Sequence, residues 1–128
     1  MCSSDLAAER ANEAQIAELE EAVAKMRVSL GTEEPWVDAD VGFHIALAKG
    51  AGNSLMVYLV EALGDVFRDT ISTLHRSRGP QGVENTLARH ERLFEAIRTH
   101  DVQAARDAMN THFDATVPFL SGLGTMPG

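Results

Sequence analysis

Apolar side chains recur every three or four residues along almost the whole chain. This spacing lines them up on one face of an α-helix, whereas a half-buried strand alternates apolar and polar residues, and no long stretch does so. The clearest apolar stripe consists of Ile16, Leu19, Val23, Met26 and Leu30. The pattern predicts an all-α protein, and 128 residues are enough for one domain with a single core.

Residues that start and stop helices divide the chain into six predicted helices. Asn12 and Gln15 are spaced as in a capping box, which predicts that residues 4–30 form two helices rather than one. Glycine, proline and asparagine at the turns place the remaining helices at about residues 37–49, 53–74, 83–99 and 102–119. Because short turns favour antiparallel neighbours, we expect a compact helical bundle over residues 1–120 and a flexible tail over residues 121–128.

The helix predicted over residues 53–74 carries the broadest apolar face. This face comprises Leu55, Leu59, Leu63, Val66, Phe67, Ile71 and Leu74. Because a wide apolar face is usually buried, we expect this helix to be the central one. The dipeptide Gly79-Pro80 that follows predicts a loop over residues 77–82.

Charge and composition exclude several classes of protein. The formal charge is −8 and the basic residues are scattered among acids, so we expect no direct DNA binding by this chain. No apolar run approaches a membrane span and the start lacks a signal-peptide pattern, which predicts a cytoplasmic protein. Cys2 is the only cysteine, so no internal disulfide can form.

Four polar residues, Asp40, His44, His90 and His112, occupy positions on apolar helix faces. The three stripes that contain them are Val37, Asp40, His44, Leu47; Leu87, His90, Phe94, Ile97; and Ala105, Met109, His112, Phe119. A carboxylate in such a position needs a partner, because an isolated buried charge is very unfavourable. By contrast, His75 stands at a helix end and His100 in a turn, and we expect both on the surface.

The spacing of these residues predicts that they converge on one metal ion. Asp40 and His44 are one helical turn apart, and His90 and His112 are almost equally distant from the predicted turn near His100. Three imidazoles and one carboxylate suit Zn²⁺ or Ni²⁺, and also Mn²⁺, Fe²⁺ or Co²⁺. Two alternatives remain open, namely hydrogen-bonded core histidines and a simple Asp–His ion pair.

Three stretches resemble the FCD domain, the C-terminal effector-binding domain of the FadR subfamily of GntR transcriptional regulators. The first is Asp40-Val-Gly-Phe-His44 with the following Ile-Ala-Leu-Ala-Lys-Gly-Ala-Gly-Asn53. The second is His90-Glu-Arg-Leu-Phe-Glu-Ala-Ile97, and the third is Asp101-Val-Gln-Ala-Ala105 with Met109-Asn-Thr-His112. The three stretches occur in the family's order, and the resemblance as a whole covers roughly residues 6–120.

The resemblance implies an antiparallel bundle of six or seven helices and a metal held by an Asp and three His, which match Asp40, His44, His90 and His112. It further implies a homodimer that binds a small organic acid and thereby controls DNA binding through a winged helix-turn-helix domain. No such basic segment precedes Leu6, so we expect either a fragment of a regulator or a stand-alone sensor.

Two positions depart from the family's pattern. Arg89 stands where Glu is common, and His100 stands where Gly is usual. The candidates for binding the carboxylate of the acid are Arg10 and Arg68, because guanidinium groups form forked hydrogen bonds with carboxylates. The alternative is that both are solvated surface arginines. The alternatives to a sensor are a metal-dependent enzyme with the same four ligands and a metal-free dimerising bundle. The sequence lacks an H-E-x-x-H pair and a G-x-S-x-G motif, which argues against an enzyme.

Overall fold

The computed structural model describes residues 3–112, which form helices joined by short turns. The helices are α1 (Ser3–Arg10), α2 (Glu13–Val28), α3 (Glu33–Gly50), α4 (Ser54–Ala62) and α5 (Gly64–Arg98). A further helix, α6, begins at residue 102 and is described as far as residue 112. This part of the chain contains no strand, which confirms the predicted all-α fold. None of the helices described is long and apolar enough to cross a membrane. The predicted tail over residues 121–128 lies outside the described residues.

The break between α1 and α2 is the predicted capping box. The backbone N–H of Gln15 donates to Oδ1 of Asn12 over 2.8 Å, and the backbone N–H of Asn12 donates to Oε1 of Gln15 over 3.0 Å. Both bonds satisfy N–H groups that a helix start leaves without partners. The amide of Gln15 also donates to the carbonyl of Lys49, which ties the start of α2 to the end of α3.

Two further predicted caps fix the turns that flank the functional residues. Oδ1 of Asn53 accepts from the backbone N–H of Met56 at the start of α4, and Oδ1 of Asp101 accepts from that of Ala104 at the start of α6. His100, before Asp101, has a φ of 56°. This left-handed conformation favours glycine, which explains why glycine is usual at this position. The turn makes α5 and α6 an antiparallel hairpin.

Helix α3 is the central element of the bundle. It packs against α1, α2, α4 and α5, and its Phe43 is 1% exposed. A Cβ at Gly50 would lie 3.3 Å from the Cβ of Ala11 and 3.6 Å from that of Ala7, so the end of α3 packs tightly against the end of α1. The core around α3 includes Leu19 and Met26 from α2 and Ile97 from α5.

The prediction of a central helix over residues 53–74 is wrong. The chain divides at Leu63 between α4 and α5, and only Val60 of α4 is buried. Four residues of the predicted face are exposed, namely Leu55 (69%), Leu59 (42%), Leu63 (48%) and Val66 (61%), whereas Ile71 and Leu74 are buried. The apolar stripe is real, but most of it faces away from the bundle because α3 already occupies the centre.

The predicted loop over residues 77–82 is reduced to a break at one residue. Gly79 has a φ of 68° and a ψ of 176°, while the residues around it remain helical within α5. Pro80 then begins the second half of α5, where its missing N–H would have had no helical partner. His75, expected on the surface, is half-buried instead. Its Nε2 lies 2.9 Å from the carbonyl of Leu30, and its ring packs against Trp36.

Candidate metal centre

Asp40, His44 and His90 form a compact group between α3 and the second half of α5. The Nε2 atom of His44 lies 3.2 Å from Oδ1 of Asp40, and the Nε2 atom of His90 lies 3.0 Å from the same oxygen. One atom from each residue can be chosen so that all three lie within 4.8 Å of one another. Asp40 and His90 are buried, while His44 is half-buried.

The hydrogen bonding of His90 makes its contact with Asp40 chemically informative. Its Nδ1 lies 2.8 Å from the carbonyl of Thr86, which can only accept, so Nδ1 carries a proton. In a neutral ring the Nε2 lone pair then faces Oδ1 of Asp40, and two acceptors face each other. Either a second proton on His90 or a cation between the two atoms resolves this conflict. A backbone carbonyl that orients the far nitrogen is also the usual support for a metal-binding histidine.

The donor set fits a divalent transition metal. Two ligand atoms that are each ~2.1 Å from one ion lie roughly 3.0 Å apart at a right angle and about 3.4 Å apart at a tetrahedral angle. The contacts of Asp40 with His44 and His90, at 3.2 and 3.0 Å, fall in this range. Imidazole nitrogen with one carboxylate oxygen suits the metals from Mn²⁺ to Zn²⁺.

His112 lies beside this group on α6. Its ring centroid is 4.9 Å from that of His90, so the predicted alignment of the two histidines across the α5–α6 hairpin is present. His112 is not among the three residues whose ligand atoms cluster within 4.8 Å. A cavity of about 10 Å³ lies between the three imidazoles, with room for one small ion or water molecule. Its lining comprises Phe43, His44, Arg89, His90, Leu93, Met109 and His112.

The protonation of the group follows from burial and the charge of Asp40. Burial acts to raise the pKa of the Asp40 carboxyl, but positive charge at His90 and hydrogen bonding with His44 and His90 outweigh it and hold the pKa well below its usual value. Burial acts to lower the pKa of His44, but Asp40 outweighs it and raises the pKa. Burial, together with His90 and His44, lowers the pKa of His112 to about 3. His112 is therefore neutral at pH 7, which is the form that binds a metal.

Three residues at this site were not anticipated from the sequence. Thr86 is buried one turn before His90 and accepts hydrogen bonds from both Arg78 and Arg89. Arg89 lines the cavity, and its Nε lies 3.5 Å from Nδ1 of His112, a long contact. The spacing of four between Thr86 and His90 was the available signal, because it places both residues on one face of α5.

The two arginines predicted to bind an acid lie outside this group. Arg68, on α5, pairs with Asp38 and is partly exposed. Arg10 is exposed at the end of α1. Neither lines the cavity beside His112. Their binding roles stay predictions.

Comparison with known proteins relates the chain to a family of regulators. A family model described as FCD domain matches residues 3–115. The chain is 32% identical over 109 residues to the HTH-type transcriptional repressor NanR of Edwardsiella tarda (strain FL6-60), an alignment that covers 85% of the chain and 42% of the relative. It is 26% identical over 122 residues to the HTH-type transcriptional regulator LutR of Bacillus subtilis (strain 168), with 93% and 56% covered.

A third relative is the galactonate operon transcriptional repressor of Escherichia coli (strain K12), which is 30% identical over 105 residues, with 82% of the chain and 45% of the relative covered. All three relatives are named as transcriptional regulators. The chain spans about half the length of the curated relatives it matches.

Proposed function

Because this chain belongs to the FCD domain family, we propose that it senses a small organic acid through a divalent metal ion held by Asp40, His44, His90 and His112. The family and the named relatives give the chain an effector-sensing regulatory role. The observation that carries the metal proposal is the convergence of two imidazole nitrogens on one oxygen of Asp40. His112, neutral and adjacent to His90, is the fourth ligand in this proposal.

The choice of metal follows from the ligands. Zn²⁺ and Ni²⁺ bind three imidazoles and a carboxylate readily. Mn²⁺, Fe²⁺ and Co²⁺ bind the same ligand atoms with lower intrinsic affinity. When bound, the ion supplies a Lewis-acidic position that a carboxylate oxygen can occupy. The protein residues hold the ion, and the Thr86 carbonyl orients His90 for that purpose.

Charge favours an acid as the effector. One dication, three neutral imidazoles and one aspartate sum to a charge of +1. A carboxylate cancels this charge in a partly buried site, where the Coulomb attraction is stronger than in bulk water. A neutral sugar gains less from the same exchange. We therefore expect a small organic acid in preference to a sugar, a nucleotide or a long acyl chain.

The exposed apolar surface supports a homodimer. We define the α4 face as Leu55, Tyr58, Leu59, Leu63 and Val66, all of which are exposed. A contiguous apolar surface of this kind usually marks an interaction site. In the proposed function a second copy of the chain covers the α4 face. In the proposed function this chain does not itself bind DNA, because it carries a formal charge of −8.

Calorimetric titration of the zinc-loaded and metal-stripped chain with small carboxylic acids tests the proposal. We expect acid binding only in the loaded form, with affinity falling at low pH because protons compete with the metal ion for its ligands. A failure to take up Zn²⁺, Ni²⁺ or Mn²⁺ would contradict it. Equal acid affinity in both forms, or tight binding only of an uncharged ligand, would contradict it as well.

A further inference from the structure

Two guanidinium groups converge on the hydroxyl of Thr86, one helical turn before His90. Nη1 of Arg78 donates to Oγ1 of Thr86 over 2.7 Å, and Nη2 of Arg89 donates to the same atom over 3.0 Å. The hydroxyl proton is directed to the carbonyl of Gly82, 2.9 Å away, so both lone pairs face the arginines. The same residue thus holds His90 with its carbonyl and two cations with its hydroxyl.

Arg89 differs from most arginines of the described chain in its partners. Arg27, Arg68, Arg76, Arg98 and Arg106 each form an ion pair with a carboxylate. Arg89 is half-buried, forms no ion pair within residues 3–112, and contacts only the neutral groups of Thr86 and His112. A partly desolvated guanidinium beside neutral partners retains the capacity to bind an anion through a forked pair of hydrogen bonds.

The surroundings of Arg89 concentrate positive charge in an acidic protein. The family resemblance leads us to expect glutamate at position 89, so arginine there changes the local charge by two units, from −1 to +1. The neighbouring Arg78 adds another positive charge on the far side of Thr86. A single carboxylate bound at the metal would leave Arg89 without a carboxylate partner from that ligand.

We propose that Arg89, supported by Arg78, forms a second anion-binding position beside the metal cluster, and that the ligand is a short dicarboxylate. This inference rests on the proposed function, because one carboxylate occupies the metal and the other occupies the fork of Arg89. In the unbound protein Nε of Arg89 lies 3.5 Å from Nδ1 of His112, so the two positions are neighbours and a short dicarboxylate such as malonate or succinate can span them.

Binding requires a movement of the Arg89 side chain. The cavity between the imidazoles has room for an ion but not for a dicarboxylate. Arg89 borders this cavity and is half-buried, so its swing away from Thr86 opens the space that the acid fills. The second carboxylate then accepts the hydrogen bonds that Thr86 accepts in the unbound protein.

The test compares dicarboxylates with monocarboxylates of equal chain length on the zinc-loaded chain. Succinate against butyrate and malonate against propionate are the two pairs, measured by calorimetric titration. We expect the better dicarboxylate to bind about 10- to 100-fold more tightly than its partner, the range of one charged hydrogen-bonded contact. Arg89→Gln should remove this preference, so that each dicarboxylate binds no more tightly than its monocarboxylate partner. Arg92→Gln, an exposed arginine one turn further on α5, should keep it.

Zinc content and helical circular dichroism are measured for each variant as controls for an intact metal site and an intact fold. Equal binding of the two acids in each pair by the native chain would overturn the inference while leaving the proposed function standing. A preference that survives in Arg89→Gln would also overturn it, because the metal alone would then be binding both carboxylates. If no acid binds in a metal-dependent way, both the inference and the proposed function fail.

Discussion

The Nε2 atom of His90 lies 3.0 Å from Oδ1 of Asp40, although the two residues are 50 positions apart in the chain. Since Nδ1 of His90 donates to the Thr86 carbonyl, this short distance requires positive charge, either a second proton or a metal ion. The second-proton alternative predicts a buried ion pair that competes with metal binding. Variants of His90 and Asp40 distinguish the protonated state from the metal-bound state.

His90→Gln should weaken zinc binding by about 100-fold or more, because even residues that only support a metal ligand contribute roughly 10- to 100-fold. Competition with a chromogenic chelator measures the affinity. His75→Ala is the matched control, because His75 is also a half-buried histidine of α5 but contacts Leu30 and Trp36 instead of the cluster. If both variants bind zinc as the native chain does, His90 is not a ligand.

Asp40→Asn should lower the pKa of His44, because the hydrogen bond and charge of Asp40 raise it in the native chain. A titration of the imidazole resonances of the metal-free protein by NMR gives this pKa directly. The variant should also lose about 1–3 kcal/mol of unfolding free energy in urea, because a buried charged partner is removed. Asp38→Asn, an exposed residue of the same helix, should leave the His44 titration unchanged. An unshifted His44 in Asp40→Asn would refute the ion pair.

The metal-free protein should lose stability as the pH falls from 7 to 5, in part through His112. Its pKa of about 3 in the folded state lies below the usual 6.5, so the unfolded chain takes up a proton that the folded chain does not. The loss begins near pH 6.5 and continues towards pH 3. With an allowance for the partial exposure of His112, we expect it to reduce the free energy of unfolding by ~1 kcal/mol between pH 7 and pH 5.

The contribution of His112 is isolated by comparison with His112→Gln in urea unfolding at each pH. His44 acts in the opposite sense, since its raised pKa contributes stability below pH 6.5 that is lost as the pH rises through the folded value. His44 is present in both proteins, so its effect largely cancels in the difference. A pH dependence of the same slope in both would show that His112 does not resist protonation.

The α4 face should hold two copies of the chain together. Tyr58→Glu combined with Leu55→Glu places two charges in the proposed interface and should convert the dimer to a monomer. Sedimentation of the chain at tens of micromolar measures this, because weak specific association has dissociation constants on the order of 1–100 μM. Val28→Glu is the control, because Val28 is 86% exposed on α2 and lies outside the α4 face. A native chain that sediments only as a monomer in this range would contradict the homodimer.

The sequence was sufficient for several helix starts and for placing Asp40 and His44 on one helix face. The caps at Asn12, Asn53 and Asp101 are local chemistry, determined by a side chain and a backbone N–H three residues away. Asp40 and His44 were identified because a helical turn fixes their relative direction. Such features need no knowledge of the rest of the fold.

The remaining features depend on tertiary packing, which periodicity does not contain. The apolar stripe of α4 has the same pattern whether it meets the core or another molecule, and so Leu55 and Leu59 were wrongly expected inside. His75 is half-buried because the α2–α3 turn happens to present the Leu30 carbonyl to it. Arg89 belongs to no apolar stripe, and only the folded hairpin reveals that it borders the histidines.

Helix α3 carries Asp40 and His44 and is followed, after the short turn at residues 51–53, by α4. Packed helices move as nearly rigid bodies, so a small rotation of α3 is not absorbed by a long flexible connection. The turn has its own backbone hydrogen bonds, from the N–H groups of Ala51 and Asn53 to carbonyls of α3. In the proposed function, a shift of α3 on binding of the metal or the acid is therefore passed directly to the α4 face.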